Sequence, residues 1–549
     1  MSKSSLLAFF VCLLSPCLAI NLIGEEEPET ADESAVIEDD QMLEKENVSE
    51  EAEISDEQND PEPEPRYKET WESIGEHKIP KWFQDAKFGI FVHWGPYSVP
   101  AYDSEWYPRH MYMNDQVWNA DGEVMPEGGD LPANHVYRHH VATYGSPSTF
   151  GYKDFIPMFT GMNFDPYEWT DLFAAAGAQY VVPMAEFHDG FAMYGSNVTR
   201  WNAVGMGPQR DILGELIVAG REKGLKVGAA SHFAFNWAYF HKGEDFDTTN
   251  LDNEDLYGWN ADPLAPVDDE FLELWWSRLQ DLIDNYSPDL LWLDFFMDRE
   301  EFGPYHKKLA AHYFSQAHEL KQKVAIQSKN FNGFDSFPAG VNVLGLERGS
   351  MAEVHEYPWQ CDTSIGKNSW GYVEDWESKS PNSLIDNLVD VVSKNGSLLL
   401  SVGPRADGSI PDDQKNVLME IGSWLNVNGE AIYGTRPWTR FGEGPTQIIS
   451  GSQSEHANPE LSVDDFRFTR KGDTVYAFVM DWPEDGRIEI KALGLDALDE
   501  KRVRSIKLLG FRGKMAYRQN DEELTVYFPN QKIGEYAHVL KIKFRETYR

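Results

Sequence analysis

The sequence predicts an α/β protein: a (β/α) barrel of TIM type, regular or irregular, followed by a C-terminal antiparallel β-sandwich. Three observations carry this. From Phe88 onward short apolar runs alternate with amphipathic stretches, the pattern of βα units around a parallel sheet. A chain of 549 residues exceeds the usual single core, so a large domain with a smaller one is expected. From about Phe466 the apolar period changes to two, as in Thr474-Val475-Tyr476-Ala477-Phe478-Val479.

The elements follow in order. Met1 to Ala19 has a lysine near the start, an apolar run from Leu6 to Leu14 and small residues at Ala19, so it reads as a signal peptide cleaved near Ala19, with a secreted or lysosomal destination. Residues 20–65 form an acidic tail, expected to be disordered. Between Gly24 and Pro65 it holds 19 Asp or Glu against the single Lys45, too polar to build a core. Residues 66–437 are assigned to the barrel. Its expected strands are Phe88 to Val92, Gln179 to Met184, Lys226 to Ala230, Leu290 to Leu293, Val324 to Gln327, Val341 to Leu346 and Leu398 to Val402, one short of eight. Helices are expected over Asp211 to Lys223, Glu270 to Asn285 and Tyr305 to Lys321, and another opens at Ser380-Pro381, where serine caps and proline fits the first turn. Residues 438–549 are assigned to the sandwich.

Composition excludes several functions. A net charge of −43 repels phosphates, so no nucleic-acid partner is expected. Beyond the leader no apolar run reaches the length of a membrane span. Of three cysteines only Cys361 lies outside the leader, which leaves no intrachain disulfide and a thiol expected to be buried. A phosphate-binding glycine loop and a paired Cys/His metal spacing are both missing from the sequence, and no cofactor or metal is expected, although His110, His139 and His140 could converge in space. Oligomeric state stays open, with a homo-oligomer allowed.

Two acids stand out. Asp294 closes the apolar run Leu290-Leu291-Trp292-Leu293, at the carboxyl end of a strand, where barrel enzymes place their chemistry. Read alone it serves equally as a loop cap or as a lysine's partner. Glu347, in Leu346-Glu347-Arg348-Gly349, ends another strand and could pair with Arg348 or a lysine; Glu353 and Glu356 are its rivals. Glycoside cleavage needs two such carboxyl groups, and 13% aromatic residues provide apolar platforms for sugar rings.

An ordered set of blocks makes the reading specific. These are Lys81 to Gly95, Glu105-Trp106-Tyr107, Phe187-His188-Asp189-Gly190-Phe191, Trp292-Leu293-Asp294, Glu347-Arg348-Gly349, Ser369-Trp370-Gly371-Tyr372 and Leu398 to Pro404. With them the chain resembles the retaining α-L-fucosidases of glycoside hydrolase family 29 from Pro80 to its end. The resemblance implies Asp294 as nucleophile and Glu347 as acid/base, with His93, Glu105, Trp106, His188 and Trp292 lining a fucose pocket, Trp370 beneath the sugar's methyl face and Lys329 where an arginine is common. Fucosylated glycans or glycoproteins are then the expected partners. The chain departs from the family pattern at Phe187, where many members have histidine, so that one hydroxyl contact is either lost or supplied by Glu186, and in the apolar stretch Ser231 to Trp237, which includes Phe235. A fucose-binding protein without turnover and a hydrolase of another sugar are the competing readings. Asn47, Asn197 and Asn395 head glycosylation sequons, with burial expected at Asn395.

Overall fold

Eight parallel strands close into a barrel in the computed structural model, which describes residues 65–545 except 115–116, 119–123, 126–131, 259 and 331–335. In chain order they are β1 (Phe88–Val92), β2 (Tyr180–Glu186), β3 (Ala229–Ser231, preceded by the short Lys226–Val227), β4 (Leu290–Leu293), β5 (Ala325–Lys329), β6 (Val343–Glu347), β7 (Trp359–Ser364) and β8 (Gly396–Val402). Each pairs with its sequence neighbour, and β1 closes the ring by pairing with both β8 and β2. The leader and nearly all of the acidic tail lie outside the described residues.

All seven expected strands are present, and β7 is the eighth. Its sequence, Trp-Gln-Cys-Asp-Thr-Ser, carries no apolar run, yet all six residues are buried. Three of its polar side chains are hydrogen-bonded internally. Gln360 accepts from the Trp292 indole at 3.0 Å and donates to the Tyr180 hydroxyl at 2.9 Å, while Thr363 and Ser364 donate to Glu455 and to the Ser369 carbonyl. A strand whose inward face is hydrogen-bonded instead of greasy leaves no hydrophobic signature. The Tyr180 ring fits inside the barrel because Gly89 faces it; a Cβ there would lie 2.4 Å from the ring. Strands β2, β5 and β6 also run to Glu186, Lys329 and Glu347, further than their apolar runs indicate, because polar residues finish them at the mouth.

Helices cover the barrel: α1 (Pro166–Ala175), α2 (Ile212–Glu222), α3 (Asp269–Tyr286), α4 (Gly303–Glu319), α5 (Pro381–Ser393) and α6 (Asp412–Asn428). Their starts obey local chemistry. Asp211, Asp268 and Ser380 each accept a backbone N–H of the first turn, which stabilises a helix by about 1 kcal/mol. Among the described residues no helix is long and apolar enough to cross a membrane.

After α6 come two antiparallel sheets. One orders β9 (Arg436–Glu443), β10 (Phe466–Lys471), β11 (Thr474–Val479), β16 (His538–Phe544) and β13 (Val503–Leu508); the other orders β12 (Arg487–Ile490), β15 (Leu524–Tyr527) and β14 (Ala516–Gln519). Strand β11 shows why the sandwich is docked. Val475, Ala477 and Val479 enter the sandwich core, whereas Tyr476 and Phe478, on the opposite face, join the core of the barrel. Trp424 of α6 donates its indole N–H to the Ala537 carbonyl at 2.7 Å, and Arg467 of β10 pairs with the buried Asp390 of α5 at 2.6 Å. Phe478→Ala should therefore destabilise the whole molecule by about 3–5 kcal/mol and leave one unfolding transition in calorimetry. Separate melting of the sandwich with activity retained would contradict this packing.

Candidate active site

The carboxyl ends of the strands converge on a cavity of about 340 Å³ lined by Phe91, His93, Glu105, Trp106, Phe187, His188, His232, Trp292, Asp294, Phe295, Glu347, Asp362 and Trp370. Asp294, Glu347 and the residues expected to line a fucose pocket are all on this wall except Lys329. Lys329, 4% exposed, lies behind it at the end of β5.

From that position Lys329 organises the acids. Its Nζ is 2.9 Å from Asp294 Oδ1, 2.5 Å from Glu347 Oε2 and 3.3 Å from Asp362 Oδ2. Asp294 follows β4, Glu347 ends β6 and Asp362 lies within β7, so three strands deliver one carboxylate each to a single ammonium. Asp294 and Glu347 touch the same nitrogen, so their facing oxygens are separated by no more than the sum of the two contacts. That is compatible with the ~5 Å separation of retaining pairs and short of the roughly 6.5–9.5 Å of inverting ones.

Burial would favour the neutral form of Asp294, but the Lys329 ammonium, followed by His232 and His188, outweighs it and holds the acid well below the usual carboxylate range. His232 Nδ1 and His188 Nε2 approach Asp294 Oδ2 at 3.1 and 3.3 Å. Nδ1 of His188 donates to the His232 carbonyl at 2.7 Å, which fixes that ring and turns its Nε2 edge toward the acid. Burial depresses His232 to about 4 and His93 well below its ordinary value. Lys329 is raised despite its burial, because Asp294, Asp362 and Glu347 surround it. Burial pushes Asp362 up to about 6, the nearby Glu347 and Asp294 adding to the effect and Lys329 opposing it.

The aromatic wall is braced from behind. Trp292 stacks on His232, with centroids 5.1 Å apart. Arg348 lies 4.6 Å over Trp370, whose backbone N–H donates to Glu105 at 2.9 Å; Ser369 donates to the same carboxylate oxygen. His93 bonds Ser401 at 2.8 Å and faces Trp370 at 5.0 Å. Trp106 caps the opposite side, 5.2 Å from His188.

Some expectations need correction. Glu186 cannot replace a contact at Phe187, because its oxygens are bound by Arg278 at 2.8 Å and Ser231 at 2.7 Å, away from the cavity. Phe235 packs behind His188 against Phe295 and Phe296 and is absent from the lining. Glu353 and Glu356 sit exposed on the loop after β6. His139 stacks on Tyr102 while His140 bonds the Tyr107 hydroxyl and the Phe150 carbonyl, so these histidines share no centre with His110 among the described residues. Cys361 is buried, and burial raises its thiol above the ordinary value. Asn395 is half-buried and donates to the His355 carbonyl, whereas Asn197 is exposed.

His188, His232 and Asp294 present ligand atoms within 4.8 Å of one another, a spacing that could hold a metal. Lys329 already supplies a cation to that carboxylate, and a second would meet its repulsion. His232, Asp362 and Phe295 were not singled out in the sequence; their signal is only that each lies at or near a strand end.

Comparison with known proteins agrees with this geometry. A family model described as alpha-L-fucosidase matches residues 54–430, and one described as the alpha-L-fucosidase C-terminal domain matches residues 458–543. The chain is 31% identical to the tissue alpha-L-fucosidase of Rattus norvegicus over 462 residues, covering 83% of this chain and 87% of that protein. It is 30% identical to the tissue alpha-L-fucosidase of Homo sapiens over 486 residues, covering 87% and 92%. The crystal structure of the Thermotoga maritima alpha-fucosidase with a mechanism-based inhibitor superposes with a TM-score of 0.66 at 30% identity, over 87% of this chain and all of that one.

Asp362 gives a test of the site's electrostatics. Its folded value of about 6 exceeds the ordinary value near 4, so between those pH values the native state keeps a proton that the unfolded chain releases. Its contribution to stability therefore declines as pH rises from about 4 to about 6 and is flat above. Asp362→Asn lacks that term, so its melting temperature relative to wild type should climb over the same interval. A difference independent of pH would show that Asp362 is not held this way.

Proposed function

The chain belongs to the α-L-fucosidase family, and from that premise we propose how its residues divide the work. It is a retaining α-L-fucosidase, a glycoside hydrolase acting on fucosylated glycans. The observation that carries the division of labour is the pair of carboxylates on one ammonium. Asp294, kept ionised, is the nucleophile. One of its oxygens attacks the anomeric carbon, the glycosidic C–O bond breaks, and the leaving oxygen takes its proton from Glu347. A covalent fucosyl ester on Asp294 results. Water then attacks the same carbon, its proton passes to Glu347, the ester bond breaks and Asp294 is restored.

The wall residues supply recognition. His93, His188 and Glu105 offer hydrogen bonds to the sugar hydroxyls, while Trp106, Trp292 and Trp370 cover its apolar faces. Phe187 adds apolar surface where a polar contact is usual, so the pocket relies more on packing on that side. His232 stays neutral beside Asp294 and helps to orient it. We place the protein in the secretory route, secreted or lysosomal, with the leader removed near Ala19 and Asn197 as the accessible sequon.

Asp294→Ala should reduce turnover by at least about 10⁴-fold while the protein stays folded, because it removes the group that forms the covalent intermediate. Azide added to Asp294→Gly should restore part of the activity and give the inverted fucosyl azide. Glu347→Ala should lose far more activity on natural glycans than on activated aryl fucosides, whose leaving groups need little protonation. Wild-type-like hydrolysis by Asp294→Ala would refute the assignment.

A further inference from the structure

Glu347 is held by a segment that follows the barrel. Residues 444–465 join β9 to β10, and part of this connection returns to the barrel mouth. Gly451 bridges Ser350, Gln453 N–H and the Ser452 hydroxyl donate to the Glu347 carbonyl at 2.8 and 3.1 Å, and Glu455 N–H donates to the Arg348 carbonyl at 2.8 Å. Glu455 anchors the segment through Lys379 at 2.6 Å and Thr363 at 2.7 Å. Close approach depends on Gly349, since a Cβ there would lie 2.2 Å from the Gly451 carbonyl oxygen.

At the apex, Gln453 Nε2 donates to Glu347 Oε1 at 2.9 Å, leaving Oε2 to Lys329. Gln453 adopts φ = 59°, a left-handed conformation that costs a glutamine roughly 1 kcal/mol and that glycine would adopt freely. A strained residue whose side chain meets a reacting group is better explained by function than by stability. The chemistry supplies one. Glu347 alternates between an acid that must donate and a carboxylate that must accept. Lys329 can only donate, so it matches the carboxylate alone. An amide carries both groups: its NH₂ donates to the carboxylate, and after a half-turn about the last torsion its carbonyl accepts from the carboxylic O–H.

We propose that Gln453 is the positioning residue for Glu347, holding it in place in both protonation states of the cycle. The proposal rests on Glu347 being the acid/base. It also explains why an exposed side chain from beyond the barrel reaches a carboxylate that lines the cavity.

The test compares kcat/KM on a fucosylated oligosaccharide and on a nitrophenyl fucoside for wild type, Gln453→Met, Gln453→Gly, Ser452→Ala and Glu347→Ala. Gln453→Met keeps length and removes both hydrogen-bonding groups. It should lose about tenfold on the oligosaccharide, mostly in kcat with KM within about twofold, and less than about threefold on the nitrophenyl substrate. Gln453→Gly should show the same pattern with an unchanged or higher melting temperature, since it relaxes the backbone, which separates positioning from folding. Ser452→Ala, which touches only the Glu347 carbonyl, should stay near wild type. Wild-type values for Gln453→Met on the oligosaccharide, or equal losses on both substrates, would overturn the proposal even where Glu347→Ala behaves as an acid/base variant. No leaving-group discrimination in Glu347→Ala would overturn the acid/base reading itself, and this proposal with it.

Discussion

The Lys329 ammonium among Asp294, Glu347 and Asp362 is the constraint on which the rest of the site depends. A buried ammonium loses several kcal/mol of hydration, and so does each buried carboxylate. Opposite charges about 4 Å apart recover on the order of 4 kcal/mol per pair in a partly screened site. One partner would barely offset the loss, whereas three make the lysine's charge secure. They cannot all be neutralised by it, however, and the excess settles on Asp362, which keeps its proton to about 6, while Asp294 is held well below the usual carboxylate range. The cluster thus puts two chemically identical groups, Asp294 and Asp362, into different protonation states, and the ionised one is the nucleophile.

Parallel strands make this arrangement possible. Consecutive strands β4, β5, β6 and β7 supply Asp294, Lys329, Glu347 and Asp362, so neighbours in the sheet become neighbours in charge. Around them the aromatic residues exclude water and stiffen the histidines. The sandwich has a second role beyond covering apolar surface. Because β11 is buried on both faces and Arg467 pairs with Asp390, the sheet that carries the 444–465 connection is fixed against the barrel, and that connection can reach Glu347 with defined geometry.

Much of this was legible in the sequence. The apolar runs located seven strands, and the change of period located the sandwich. Asp294 and Glu347 were visible as acids that finish buried strands. For each acid two readings stood side by side, a catalytic group or a lysine's partner; the structure shows that the second holds, and that the same lysine serves both. Lys329 was visible only as a sugar contact, because sequence spacing does not show that a side chain points behind the wall. Strand β7 was missed because its buried polar residues are matched by partners from distant strands. Of the two readings at Phe187, a lost contact or one supplied by Glu186, the second fails for a similar reason: the Glu186 partner Arg278 comes from a helix about 90 residues on. Gln453 carries no sequence signal, since its meaning depends on a chain return over 106 residues.

One ammonium holds both catalytic carboxylates in place and keeps Asp294 ionised. Lys329→Met keeps the length of the side chain and removes its charge, and the decisive measurement is kcat/KM for an activated aryl fucoside against pH, together with a melting curve. The account predicts a folded protein whose activity is at least about 100-fold lower near neutrality and whose optimum has moved, because Asp294 then shares the pocket with Glu347 and Asp362 without their counter-charge. A variant with the wild-type rate and pH profile would contradict it.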